Sequence, residues 1–199
     1  MKPYVIAEMG VNFYDTAKKL NINPLEAAKM YIDAAAEAGI DCAKFQSYKA
    51  GTIVSKNSPA YWDLTKEPTK TQYELFLKHD SFGECEYREL CKYTHDKGMD
   101  FTSTPFDYAS ADYLYDMVDF YKISSSDLSN LPFIHHIGAK GKPVFVSVGA
   151  AYLSECDEAI RALQESGCKD IVVFHCVLSY PTNPKAVSYT HLTLPTTER

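Results

Sequence analysis

Residues 24–46 read PLEAAKMYIDAAAEAGIDCAKFQ, and the order of signals within them decides the fold. Asn23 stands before them as an N-cap. Pro24 takes the first helical position, and Gly39 stops the helix just past its end. The spacing predicts a helix over 24–38 and then a strand, CAKFQ, over 42–46. The same alternation extends to both sides. YVIA at 4–7 is a strand. Downstream come a helix over 84–97 closed by Gly98, a strand over 100–103 and a short helix over 110–117. A strand over 120–124 and a helix over 130–139 follow, with Pro132 near the helix start. The series ends with PVFVS at 143–147, a helix over 154–165 with Gly167 beyond it, and IVVFH at 171–175. Short apolar strands alternating with helices predict a parallel sheet covered by helices. Two architectures satisfy that pattern, the doubly wound open sheet and the (β/α)₈ barrel. No glycine-rich fingerprint follows the first strand, which argues against a dinucleotide-binding unit. In both architectures ligands bind at the carboxyl ends of the strands.

Composition narrows the class. The 199 residues suffice for one core and one domain. With 46% hydrophobic and 23% charged residues the chain reads as a soluble globular protein. A net charge of −6 without runs of like charge argues against nucleic acid and anionic membrane surfaces as partners. The N-terminal apolar run breaks at Glu8, too short for an export signal or a membrane span, so a cytoplasmic location is expected. None of the six cysteines has CxxC spacing, and free buried thiols are expected.

The strand ends supply the candidate chemistry. Glu8 and Asn12 follow the first strand, and Lys44 and Gln46 share one face of the second. Thr102, Ser103 and Thr104 close the third. Lys122 and the run Ser124-Ser125-Ser126-Asp127 close the fourth, Ser147 and Gly149 the fifth, and His175, Cys176 and Tyr180 lie at or past the end of the sixth. Two lysines, several hydroxyls and glycine-adjacent N–H groups suit a ligand carrying phosphate and carboxylate. Glu8 and Asp127 supply carboxylates for proton transfer. A lysine on an inner strand is costly unless a ligand or partner compensates it. His175 reads as a satisfied core histidine, and His135-His136 as helix surface. The connection over 47–80 is long and polar, rich in Lys and Tyr, and holds Trp62, the chain's single tryptophan. It follows a strand and reads as a lid or substrate loop.

Six pieces in order carry a resemblance: AEMGVN at 7–12, AAAEAGIDCAKFQSYKA at 34–50, FTSTPFD at 101–107, YKISSSDLSNLPFI at 121–134, GKPVFVSVGA at 141–150 and FHCVLSYPT at 174–182. The chain resembles the sialic acid synthase family of phosphoenolpyruvate-dependent nonulosonate synthases. The resemblance implies a (β/α)₈ TIM barrel, incomplete here with about six of its eight βα units, over residues 1–186. In that family a small antifreeze-like domain usually follows, and it is expected to be absent from these 199 residues. The implied reaction condenses phosphoenolpyruvate with an N-acetylmannosamine-type sugar and releases phosphate. By the same resemblance Lys44, Thr104, Lys122, Ser125 and Ser147 hold the phosphate and carboxylate, and Gln46 and Tyr180 face the sugar. Glu8 and Asp127 carry the proton transfers. A divalent metal, Mn or Mg, is implied to polarise the aldehyde, with ligands on later strands outside this chain, and the full-length relatives are implied to be homodimers.

Four of the six motifs depart from the family pattern. Phe13 stands where a His usually follows the first motif, and Ser124-Ser125-Ser126-Asp127 replaces Gly-Ser-Gly-Glu. Ser147-Val148-Gly149-Ala150 replaces Ser-Thr-Gly-Met, and Leu178 takes a position that is often polar. These leave the phosphoenolpyruvate side intact and open the identity of the sugar. A 2,4-diamino sugar, as in legionaminic or pseudaminic acid synthesis, is an alternative acceptor, and a phosphorylated sugar another. Enzymes using erythrose or arabinose phosphates are disfavoured by AEMGVN and KFQ. A noncatalytic sugar- or phosphate-binding barrel is the reading from another class. Residues 187–199, VSYTHLTLPTTER, show no helical period. The stretch 187–196 matches a translation of the transposon adapter used in sequencing libraries, so a non-native tail is expected. An uninterrupted native frame through it in re-amplified source DNA would refute that reading. A barrel short of two strands leaves open parallel edges, so poor stability and no synthase turnover are expected of the 199 residues.

Overall fold

The computed structural model describes residues 2–179 and 182–186. Tyr180, expected on the sugar side, and the expected tail at 187–199 lie outside the described residues. Strand β1 (Ile6–Gly10) leads into helices α1 (Phe13–Leu20) and α2 (Pro24–Glu37), then strand β2 (Cys42–Ser47). Helices α3 (Ala50–Ile53), α4 (Gln72–Leu77) and α5 (Glu84–Asp96) precede strand β3 (Asp100–Pro105). Helix α6 (Tyr108–Tyr113), strand β4 (Tyr121–Ile123), helix α7 (Leu131–Gly138), strand β5 (Val144–Ser147), helix α8 (Leu153–Glu165) and strand β6 (Ile171–Phe174) complete the alternation.

Local chemistry sets these limits. The Asn23 side chain accepts a hydrogen bond from Leu25 N at 2.8 Å and caps α2. Gly39, at φ +71°, takes the left-handed turn that ends it. Helix α2 buries Ala27, Ala28, Ile32 and Ala35, the face that 3.6-residue spacing brings together.

All the strand pairs are parallel, in two sheets ordered β1-β2-β3 and β4-β5-β6. The sheets meet at a seam between β3 and β4. There Asp119 N donates to Phe101 O at 2.9 Å, Phe101 N donates to the Asp119 carboxylate at 2.8 Å, and Thr102 Oγ1 donates to Phe120 O at 2.5 Å. The strands therefore lie side by side in chain order. Alternation splits each strand between two environments. Phe45, Phe101, Tyr121, Ile123, Val144 and Val146 are buried in the main hydrophobic core. Each such side chain contributes about 1.5–3 kcal/mol relative to exposure. Lys44, Gln46, Lys122 and Ser147 take the other face.

Several expectations are corrected. The first strand runs over Ile6–Gly10 rather than 4–7, because Ile6, Ala7 and Glu8 pair in register with Cys42, Ala43 and Lys44. Helix α1 was not anticipated; Phe13, Tyr14 and Ala17 bury its one apolar face. The helix expected at 110–117 divides into α6 and a 3₁₀ turn, Leu114–Asp116. The long connection is not structureless, since it contains α3 and α4. His175 is exposed rather than a core residue, because β6 ends at Phe174. His135 and His136 lie on α7, bonded to Ser166 and Asp112. All six cysteines are free, but only Cys42, Cys91 and Cys168 are buried. No helix among the described residues is long and apolar enough to cross a membrane.

Candidate functional site

A cavity of about 700 Å³ opens over the inner face of both sheets. The first sheet contributes Glu8, Lys44, Gln46 and Thr104, and the second contributes Lys122 and Ser147, with Ser125 from the turn after β4. Seven of the nine residues expected at the site thus line one space. Strand register explains the convergence, since Glu8 pairs with Lys44 across β1–β2 and Gln46 with Thr104 across β2–β3.

Beneath the polar groups lies an aromatic floor. Phe120 and Phe145 stack with ring centroids 4.0 Å apart, and Phe174 meets Phe145 edge-on at 5.6 Å. Each precedes a polar inward residue by two positions or ends its strand, as in Phe120-Tyr121-Lys122 and Phe145-Val146-Ser147. That period-two spacing was the available signal for this floor. The Lys122 ammonium sits 5.7 Å from the Phe174 ring centroid.

The two lysines differ in their partners. Lys122 is 6% exposed and donates to Ser147 Oγ and Ile123 O, both at 2.6 Å. Burial pulls its ammonium down from the ordinary lysine value to about 8, against the opposing effects of Cys176 and Asp127. Lys44 forms an ion pair with Glu8. Burial, followed by the charge of Lys122, pulls the Lys44 ammonium down to about 7. The charge of Cys176 opposes that shift. Gln46 Nε2 donates to the other Glu8 oxygen at 3.2 Å.

The turn after β5 brings backbone against the cavity. Gly149 N donates to Ser125 Oγ at 3.0 Å. A Cβ at Gly149 would meet Ser125 Oγ at 3.0 Å and the Leu178 side chain at 3.1 Å, so only glycine fits without displacement. Ala150 then takes φ +51°, a left-handed conformation costly for a residue with a Cβ.

Asp127 occupies a different space. A 3₁₀ turn, Ser125–Asp127, carries its carboxylate into an adjoining cavity of about 320 Å³. Ile53, Val54 and Phe76 of the long connection wall this second cavity, and Gln46 and Phe106 line both. Burial pushes the Asp127 carboxyl up, while hydrogen bonds to Ser126 and Asn130 and the charge of Lys122 pull it back. The second cavity was missed in the sequence. Its signal was Thr71-Gln72-Tyr73-Glu74, the start of a capped helix, where Thr71 Oγ1 accepts from Glu74 N at 3.2 Å.

The implied divalent metal finds no donor set among the described residues: no three His, Cys, Asp or Glu side chains group together. The one carboxylate in the larger cavity, Glu8, is already committed to Lys44.

The model of the NeuB family covers residues 31–194. The chain belongs to the NeuB family. An N,N'-diacetyllegionaminic acid synthase of Legionella pneumophila is 33% identical over 195 residues, covering 94% of this chain and 52% of the relative. An N-acetylneuraminate-9-phosphate synthase of Drosophila melanogaster is 28% identical, covering 93% of this chain and 48% of the relative. Among solved structures, an N-acetylneuraminic acid synthetase from Leptospira borgpetersenii superposes with a TM-score of 0.79 at 27% identity, over 96% of this chain and 60% of that one. The chain thus spans about half the length of the curated NeuB relatives it matches.

Proposed function

We propose that this chain carries the phosphoenolpyruvate-binding part of a nonulosonate synthase of the sialic acid synthase type. The observation that carries the reading is the pair Lys44 and Lys122 in one cavity with Ser147, Ser125 and Thr104. A phosphate and a carboxylate carried on one carbon need two cations and several donors close together. The six parallel strands in chain order support assigning them to a (β/α)₈ barrel whose ligands sit at the carboxyl ends.

In this reading the lysines and hydroxyls fix the enol phosphate. Its C3 attacks the open-chain aldehyde of an amino sugar, water adds at C2, and the C2–O bond to phosphate breaks. Asp127, whose carboxyl is biased toward its neutral form, protonates the aldehyde oxygen from the adjoining cavity. Glu8 takes the proton from the attacking water. Gln46, common to both cavities, faces the acceptor. A divalent metal serving this reaction would draw its ligands from outside the described residues.

Two acceptors fit. An N-acetylmannosamine-type sugar follows from the resemblance. A 2,4-diacetamido sugar is favoured by relatives named N,N'-diacetyllegionaminic acid synthase at 33% identity, against 28% or less for those named N-acetylneuraminate-9-phosphate synthase.

Titration calorimetry with phosphoenolpyruvate tests the anion half. Binding by the wild-type chain and its loss in Lys122→Met are expected. A folded wild-type chain that takes up no phosphoenolpyruvate would overturn the reading.

A further inference from the structure

The two cavity lysines are neutralised differently, and that difference has a purpose in binding. Lys122 is held by a hydroxyl and a carbonyl, both neutral. Lys44 is held by a full carboxylate, Glu8. The contact is built in by the fold, because Glu8 and Lys44 are register partners on neighbouring strands. Next to them the ladder is irregular, and Gly10, at φ +55°, leaves room for the carboxylate. A Cβ at Gly10 would come within 3.1 Å of Glu8 Oε1 and 3.3 Å of Gln46 Nε2. Gln46 Nε2 gives Glu8 a second resting partner that does not depend on Lys44.

We propose that Glu8 is a displaceable counter-ion: its carboxylate holds the place on Lys44 that the substrate's anionic group takes, and binding exchanges one for the other. This inference rests on the anion-binding role given to the cavity above. The net gain then depends on the charge the ligand brings. A monoanion replaces one negative charge with another and gains little. A dianion brings a second charge, which reaches Lys122 across the cavity. Glu8 thus raises the affinity that any anion must supply before it occupies Lys44. It also leaves Lys44 free of an unpaired buried charge while the site waits. The charged and titratable groups lining the cavity with Glu8 are Lys44 on β2, Lys122 on β4, Cys176 after β6 and Tyr4 ahead of β1, whose hydroxyl is bonded to Asp100; Thr104 from β3 is neutral.

The test compares sulfate, which does not titrate in the range used, with acetate, on the wild-type chain and on Glu8→Gln. Affinities come from titration calorimetry at low salt, with near-ultraviolet circular dichroism to establish that each variant is folded. Removing the counter-ion is expected to tighten sulfate binding at least tenfold. Acetate should tighten too, by no more than sulfate, because both anions displace the same carboxylate from Lys44. Glu8→Asp, one methylene shorter, should fall between the two and serves if Glu8→Gln does not fold. Sulfate binding that is unchanged or weaker in the folded variants would overturn the counter-ion role and leave the anion site standing. Failure of sulfate, inorganic phosphate and phosphoenolpyruvate alike to bind any folded form would overturn both.

Discussion

Anion affinity at this site should fall steeply as pH rises through the neutral range. The perturbation is pH itself, acting on Lys44 and Lys122, whose ammonium groups are pulled by burial to about 7 and about 8. A bound dianion requires both to be charged. At pH 8 a lysine titrating at about 7 is roughly nine-tenths neutral, and one titrating at about 8 is half neutral. Recharging both on binding reduces the affinity for a non-titrating dianion about twentyfold between about pH 6 and pH 8, or ~1.8 kcal/mol. It should also draw roughly 1.4 protons from solution at pH 8 and almost none at pH 6. Calorimetry with sulfate in two buffers of different ionisation enthalpy reads both quantities. A flat affinity over this range, with no proton uptake at pH 8, would refute the claim that burial depresses these lysines.

The same lysines carry a stability signature. Their folded values lie below the unfolded one, so the unfolded chain binds more protons and stability rises with pH from about 7 toward 10. Lys122→Met should remove part of that slope and stabilise the chain by ~1–3 kcal/mol at neutral pH in chemical denaturation, while phosphoenolpyruvate binding is lost. Gly149→Ala should press on Ser125 and Leu178 and cost about 1–3 kcal/mol, with weaker anion binding by calorimetry. Ala150→Gly should stabilise by ~1 kcal/mol in the same denaturation assay, since the left-handed backbone favours glycine. Thr102→Val should leave Phe120 O without its donor at the β3–β4 seam and cost about 1–3 kcal/mol; an unchanged denaturation midpoint would show that the seam does not depend on it.

What was legible in the sequence followed from periodicity. Lys44 and Gln46 alternate with Ala43 and Phe45, so their common face could be read, and the register of parallel strands then brought Glu8 and Thr104 to the same cavity. Asp127 was harder. Its place beside Lys122 in the chain suggested a shared space, but the Ser124 hydroxyl accepts from Ser126 N at 3.4 Å and the chain turns before the carboxylate emerges. The three-residue 3₁₀ turn carries it into the neighbouring cavity, and no alternation pattern encodes that. Helix α1 escaped for a related reason. Its eight residues bury only Phe13, Tyr14 and Ala17, too few turns for a period to stand out. The long connection was recognised by length and polarity, while its two helices depend on a cap at Thr71 and on contacts with distant residues.

That connection has its two ends tied together. Lys49 Nζ donates to Asp80 O at 2.5 Å and to Phe82 O at 2.8 Å, and Ala50 N donates to the Asp80 carboxylate at 2.9 Å. With the base clamped, the span between behaves as an exchangeable cassette. Doubling its length would add only about 0.6 kcal/mol of closure entropy, and the strands below would not sense the change. On the function proposed above, one anion-gripping floor can therefore be inherited unaltered while the roof over Gln46 and Asp127 is rewritten, which would let a single scaffold diversify its acceptors without rebuilding its chemistry.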